Sequence, residues 1–225
     1  MLKAHVNNII NLTLIMSLKI EIIDDFLSKD DLKILQSLKL KETKEKEMNV
    51  YVKKIDSGNN ISGSGINDET AKEFQKNYHS KALELLKKLY PEKAELYDYS
   101  EFGINDTGNN YNFPIHNDTP NKLLSGVIFL SPHKSTGTKF YENKKGKGEK
   151  EIDWKINRAV FFSREENRSW HSFNHSGEGV RRVLIYNLMT TNTKAVCKIE
   201  KINYFLVHLK FLINPYLYKY FKFVI

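Results

Sequence analysis

The sequence predicts a mainly β domain, an antiparallel sandwich or barrel with helices packed against one of its sheets. Two helix-like stretches come first, and after Pro91 the chain breaks into short runs rich in aromatic and β-branched residues. Clusters of Gly, Asn, Asp and Lys separate those runs, and no helical pattern returns between them. Helices first and strands afterwards, without alternation, argue against a parallel α/β sheet.

Each element has its own signal. Residues 19–26 (KIEIIDDF) read as a strand. Ser28 supplies a helix cap, with Asp31 as its capping-box partner and Leu27 and Leu32 as the accompanying staple. Leu35 and Leu38 continue that apolar stripe. A second helix covers residues 68–90, where Ala71, Phe74, Tyr78, Ala82, Leu85, Leu86 and Leu89 recur at helical spacing until Pro91 stops them. Strands are expected over 96–104, 124–130, 139–141, 159–162 and 183–189, with polar gaps at 105–110 and 143–150. There are no internal repeats.

Size and charge bound the function. A chain of 225 residues with 40% apolar and 12% aromatic residues can fill one core, so general disorder is excluded. It divides into a non-core extension over 1–15, a domain over 16–193 and a basic aromatic tail over 194–225. Met16 is the expected start, because organised sequence begins there. Residues 1–15 lack the clean apolar run and cleavage site of a leader, and no stretch is long and apolar enough to cross a bilayer. The lone Cys197 excludes a disulfide framework and fits a reducing cytoplasm.

Of the net charge of +8, the tail carries +5 and residues 1–193 only +3. So balanced a body offers no phosphate-binding face, and nucleic acid is not an expected partner. The tail collects Tyr204, Phe205, Phe211, Tyr216, Tyr218, Tyr220, Phe221 and Phe223, with Pro215 expected to break it near the middle. Two readings of it stay open. It is either a helix packed on the domain or on a second subunit, as in a homodimer, or a segment lying on a membrane surface.

The chemistry centres on residues 115–118, Ile-His-Asn-Asp. In a strand, residues two apart share a face, so His116 and Asp118 would stand side by side. Alone this means little: with seven histidines and 27 acids in the chain, about one such pair arises by chance. Context adds to it. Ser169-Trp170-His171 follows 55 residues after His116, and Arg181 and Arg182 open a strand ten residues beyond His171. Two neutral imidazoles and one carboxylate on one face of Fe(II) leave positions open for a chelating anion and O2. A buried arginine then pairs with that anion's remote carboxylate.

Here the sequence resembles the 2-oxoglutarate/Fe(II) oxygenase superfamily, and in particular its prolyl-4-hydroxylase-like branch. The resemblance lies in HNDTP (116–120), SGVIFLS (125–131), GTKFY (137–141), KINRAVFF (155–162), SWHS (169–172) and RRVLIYNL (181–188), with IIDDFLS (22–28) like the usual opening. It implies a double-stranded β-helix, a cupin-like jelly roll with helices outside, to which the tail's own pattern adds a C-terminal helical tail. It also implies metal ligands at His116, Asp118 and His171 and a 2-oxoglutarate anchor at Arg181. The activity implied is hydroxylation of a small-molecule or polypeptide substrate with release of succinate and CO2, with ascorbate an optional auxiliary. Asp118 bears on the outcome, since related halogenases lose this carboxylate.

Some choices stay open at this point. Arg181, Val183, Ile185 and Asn187 share one strand face, and Arg182, Leu184, Tyr186 and Leu188 the other. Asn187 suits a polar interior and favours Arg181, with Arg182 as the alternative. His175 is the alternative to His171, and His116 could instead be a turn residue with Asp118 a cap. His133, His79, His5 and His208 are expected on the surface or tail, and Arg158 and Arg168 as structural or solvated. Where related prolyl hydroxylases place a tyrosine for the co-substrate, this chain has Phe129. The rival class is a jelly-roll binding protein without turnover. A nucleic-acid demethylase is disfavoured, because no arginine follows Arg182.

Overall fold

The computed structural model describes residues 19–221. The expected extension over 1–15, the start at Met16 and His5 lie outside them. The first strand, β1 (Ile20–Ile23), ends earlier than expected, because Asp25 takes a positive φ of 53° in the turn that follows. Ser28 caps α1 (Lys29–Gln36): its Oγ accepts from the Asp31 N–H at 3.1 Å and donates to the Asp31 carboxylate at 2.8 Å. Leu27 and Leu35 are buried and Leu32 packs beside them, so cap and staple form together.

A hairpin of β2 (Met48–Asp56) and β3 (Ile61–Gly63) follows, which the sequence pattern does not announce. Asn67 starts α2 (Asp68–Leu89) by accepting from the Thr70 N–H at 2.7 Å. All seven apolar residues expected on its inner face are buried. Pro91 ends that helix and begins the short α3 (Pro91–Ala94), where a missing N–H costs nothing.

The remaining strands are β4 (Tyr99–Thr107), β5 (Tyr111–His116), β6 (Lys122–Ser131), β7 (Thr138–Tyr141), β8 (Lys150–Ile152), β9 (Ala159–Phe162), β10 (Trp170–His175) and β11 (Arg181–Met189). The expected gap at 105 is displaced, since β4 continues to Thr107 paired on both sides, with β2 and with β11. One sheet runs β1-β9-β6-β11-β4-β2-β3 and the other β5-β10-β7-β8, every pair antiparallel. From β5 onward the chain passes back and forth between the two sheets, which is the winding of a double-stranded β-helix.

Alternation along the strands sorts side chains into two cores. Leu184, Tyr186 and Leu188 of β11 face outward with Ile128 and Leu130 of β6, onto Phe74, Leu85 and Leu86 of α2. Val183 and Phe129 face inward with Val160, Phe162 and Phe140, between the sheets. Gly126 is required where the layers meet, because a Cβ there would lie 2.3 Å from the Phe161 ring.

The tail is two structures. In α4 (Thr193–Ile199), Val196 and Cys197 are buried and Val196 joins the helix-side core. By contrast α5 (Tyr204–Phe221) has no buried residue. It also runs unbroken through Pro215. The proline has no N–H to donate to the Phe211 carbonyl, so the helix continues with one hydrogen bond fewer.

Asn157 joins the N-terminal segment to the barrel. It is buried at a φ of 63°, its side chain bonds the Leu27 N–H at 2.9 Å and the Leu27 carbonyl at 2.8 Å, and its own N–H reaches Phe129 at 2.8 Å. We expect Asn157→Ala to destabilise the domain by roughly 2–4 kcal/mol, from two unsatisfied backbone groups and a left-handed alanine. Urea midpoints measure this. Asn157→Gly should recover only part of the loss, and full recovery would show that the side-chain bonds contribute nothing.

Candidate active site

The site begins with an irregularity in the small sheet. His171 of β10 pairs with His116 of β5, but Phe173 pairs with Phe113, so β5 holds one residue more than its partner over this stretch. Pro114 lies in this bulge, where a residue without an N–H is tolerated. Its carbonyl, 3.0 Å from His116 Nδ1, accepts a hydrogen bond from that nitrogen. His171 does the same with Ser169, its Nδ1 lying 2.9 Å from the carbonyl. A carbonyl only accepts, so both Nδ1 atoms carry hydrogen and both Nε2 atoms keep a lone pair. Burial, with the second imidazole, pushes His116 down to about 3, and burial pushes His171 down as well. Both rings are neutral donors, their centroids 4.1 Å apart.

Asp118 arrives differently from the expected same-strand arrangement. β5 ends at His116, and Asp118 lies in the loop before β6. Its two oxygens accept from Lys122 Nζ and Ser125 Oγ, each at 2.6 Å. Burial is the largest influence and works against its ionisation, but the Lys122 ammonium and its hydrogen bond, with the two imidazoles, together hold the carboxyl well below the usual carboxylate range. One ligand atom each from His116, Asp118 and His171 lie within 4.8 Å of one another. Each carboxylate oxygen has a second lone pair beyond its present bond, so the set fits a divalent metal.

The sequence pattern does not reveal what holds the Asp118 loop. Arg164 Nε donates to the Asp118 carbonyl at 2.9 Å, and its other nitrogens pair with Glu200 and Glu166. Glu200, the only acid in the basic tail, has a buried side chain that also pairs with Lys93 at 2.7 Å. Burial pushes the Lys93 ammonium down and Glu200 opposes it. Charges this far apart in sequence read as surface residues until the fold joins them.

The two arginines diverge across β11. Arg182 faces outward, donating to both Asp106 oxygens at 2.7 and 2.6 Å and to the carbonyls of Leu35, Gln36 and Leu38 near the end of α1. It is fully employed. Arg181 is buried inside, where Nε reaches the Thr136 carbonyl at 3.3 Å and Nη2 has no partner. Aromatic rings surround it, Phe173 at 4.6 Å and Trp154 at 5.0 Å, and burial pushes its pKa down to about 9. Asn187 Oδ1 is buried unpaired as well. Arg181 and Asn187 line one cavity of about 150 Å³ with His116, Asp118 and His171. Half-bonded polar groups so placed suit an anionic ligand with a remote carboxylate.

Phe129 stands beside Arg181, at 5.8 Å, and stacks on Trp154, so it offers no hydroxyl. His175, the alternative ligand, is turned away. Its Nε2 lies 3.0 Å from the Gly179 carbonyl and its Nδ1 3.2 Å from Ser135 Oγ. Arg158 pairs with Asp24 and Arg168 with Glu165. His79, expected on the surface, is half-buried against Tyr97 at 4.8 Å, and burial pushes its pKa down.

A second cavity of about 290 Å³ shares Phe113, His116, Asp118 and Lys122 with the first, and α5 roofs it with Val207, Lys210, Phe211 and Asn214. The Tyr218 hydroxyl bonds that of Tyr111, and its ring packs on Phe113 at 5.2 Å.

Removing the Arg164 contact tests the support beneath Asp118. Arg164→Lys should weaken Fe(II) binding by about tenfold or more, measured anaerobically by titration, while leaving the far-UV spectrum native. Unchanged metal affinity in a folded variant would remove Arg164 from the site.

No protein-family model matches the chain, and no curated protein sequence matches it. Solved structures do match its shape. A Pseudomonas putida prolyl-4-hydroxylase aligns over 79% of this chain and 96% of its own, at 14% identity and a TM-score of 0.53. A Trichoplax adhaerens prolyl hydroxylase, in complex with a hypoxia inducible factor peptide fragment, aligns over 84% and 92% at 12% identity and 0.53. The Arabidopsis thaliana dioxygenase for auxin oxidation, in a complex with 2-oxoglutarate, aligns over 80% and 87% at 13% identity and 0.52. The chain has the double-stranded β-helix fold of the 2-oxoglutarate/Fe(II) oxygenases.

Proposed function

We propose that this protein is a 2-oxoglutarate- and Fe(II)-dependent dioxygenase that hydroxylates a small-molecule or polypeptide substrate. One observation carries the reading: one ligand atom from each of two imidazoles and a carboxylate lie within 4.8 Å of one another, and a buried, half-bonded guanidinium lines the same cavity. His116, Asp118 and His171 would hold the metal, and Arg181 the remote carboxylate of 2-oxoglutarate. Bound Fe(II), with 2-oxoglutarate and O2, supplies the oxidising chemistry and leaves succinate and CO2 as co-products.

The protein's part is positioning. The Pro114 and Ser169 carbonyls fix both imidazole tautomers, so no proton has to leave either ring before it can act as a ligand. Lys122 and Ser125 orient the Asp118 carboxylate, and Arg164 fixes the backbone beneath it. Arg181 is fixed by one backbone bond and aromatic walls, so a two-pronged contact to a carboxylate needs little reordering. Phe113, Trp170 and Phe211 make the approach largely apolar, which limits water near the reacting groups.

Binding of 2-oxoglutarate, followed anaerobically by calorimetry, tests the reading without a known substrate. It should require Fe(II) and should weaken roughly 10- to 100-fold in Arg181→Ala, the loss of a charge-assisted pair. Arg182→Ala should instead lower stability by about 3–5 kcal/mol, because it leaves Asp106 buried and unpaired, with co-substrate affinity nearly unchanged. Absence of metal-dependent 2-oxoglutarate binding would overturn the proposal. Binding without succinate formation across peptide and small-molecule panels would instead favour a protein that has lost turnover.

A further inference from the structure

The helix over the site has a second face that nothing among the described residues covers. Val207, Phe211, Asn214 and Tyr218, at helical spacing along α5, point toward the domain. Opposite them Phe205, Leu209, Leu212, Tyr216 and Tyr220 form a continuous stripe. Phe205 is 82% exposed and Tyr216 67%, and the other three are exposed too. A stripe of this size along an 18-residue helix marks a docking surface rather than scattered exposure.

Charge selects the occupant. Residues 201–225 contain four lysines and no Asp or Glu. A second copy docked through this face would bring Lys219 toward another positively charged segment, with no acid in either segment to receive it. An anionic lipid surface offers the reverse: apolar depth for the stripe, headgroup phosphates for the ammonium groups, and an interface suited to tyrosine rings. No helix among the described residues is long and apolar enough to cross a membrane, so α5 would lie on the surface. We propose that α5 is a lipid-docking helix, binding anionic bilayers through Phe205, Leu209, Leu212, Tyr216 and Tyr220 with Lys219 at the flank.

The inference does not depend on the iron chemistry, and sedimentation of the full chain with vesicles tests it. Vesicles of phosphatidylcholine and phosphatidylglycerol in equal parts should pellet the protein, pure phosphatidylcholine should do so far less, and rising salt should reverse the binding. Phe205→Ser and Leu209→Ser should each weaken binding about tenfold. Lys219→Glu should have a similar effect. These side chains are exposed, so folding is not at risk. Failure to pellet, or pelleting that ignores all three substitutions, overturns the proposal. So does a dimer in sedimentation equilibrium that the same substitutions dissolve in the absence of vesicle binding, which would give the face to a second copy.

Discussion

The candidate site depends on one cross-strand pair, His116 of β5 opposite His171 of β10. In a strand, a slip of one residue turns every side chain to the other face, so the candidate ligand set comes together only in this register. The bulge at Pro114 sets it. The extra residue frees a carbonyl from the ladder, and that carbonyl accepts the Nδ1 hydrogen of the histidine two residues on. One backbone irregularity therefore fixes both where the first imidazole stands and which of its nitrogens is offered. A regular strand would leave the ring's tautomer to its surroundings.

Much of this was legible in the sequence where a period could be read. The face alternation of β11 puts Arg181 with Asn187 and Arg182 with Tyr186, and the structure places the first pair in the cavity and the second pair on the opposite face. Helix α2 was equally plain, because seven apolar residues keep helical spacing between a cap and a proline. The unannounced strands fail for physical reasons. β10 (Trp170–His175) carries polar side chains because it lines a cavity. β5 contains a proline that the sequence alone counts against a strand. β2 buries only Lys53 and Ile55, so its alternation is weak. The Lys93–Glu200–Arg164 cluster lay beyond sequence reasoning, because residues 107 and 36 apart have no local pattern to share.

That cluster also decides how the tail divides. Composition places a boundary at residue 194, yet Val196, Cys197 and Glu200 are buried in the body. Removing Glu200 would leave Lys93 and Arg164 buried without their shared partner, a situation far costlier than losing an exposed pair. The segment up to Glu200 is therefore structurally inseparable from the Asp118 loop, because the arginine it neutralises also holds the Asp118 carbonyl.

Beyond Glu200 the balance of forces changes. The contacts of α5 with the body include the Tyr218–Tyr111 bond, the Phe113 packing and the edge of the second cavity, while Phe205, Leu209, Leu212, Tyr216 and Tyr220 stay exposed. Apolar burial scales with the area removed from water, and here the larger apolar face remains in water. A helix held by its smaller face can lift without disturbing either core, since none of its residues belongs to one. The fold thus keeps its charged, buried latch next to the candidate ligands and leaves the roof over their mouth to a helix that contributes to neither core.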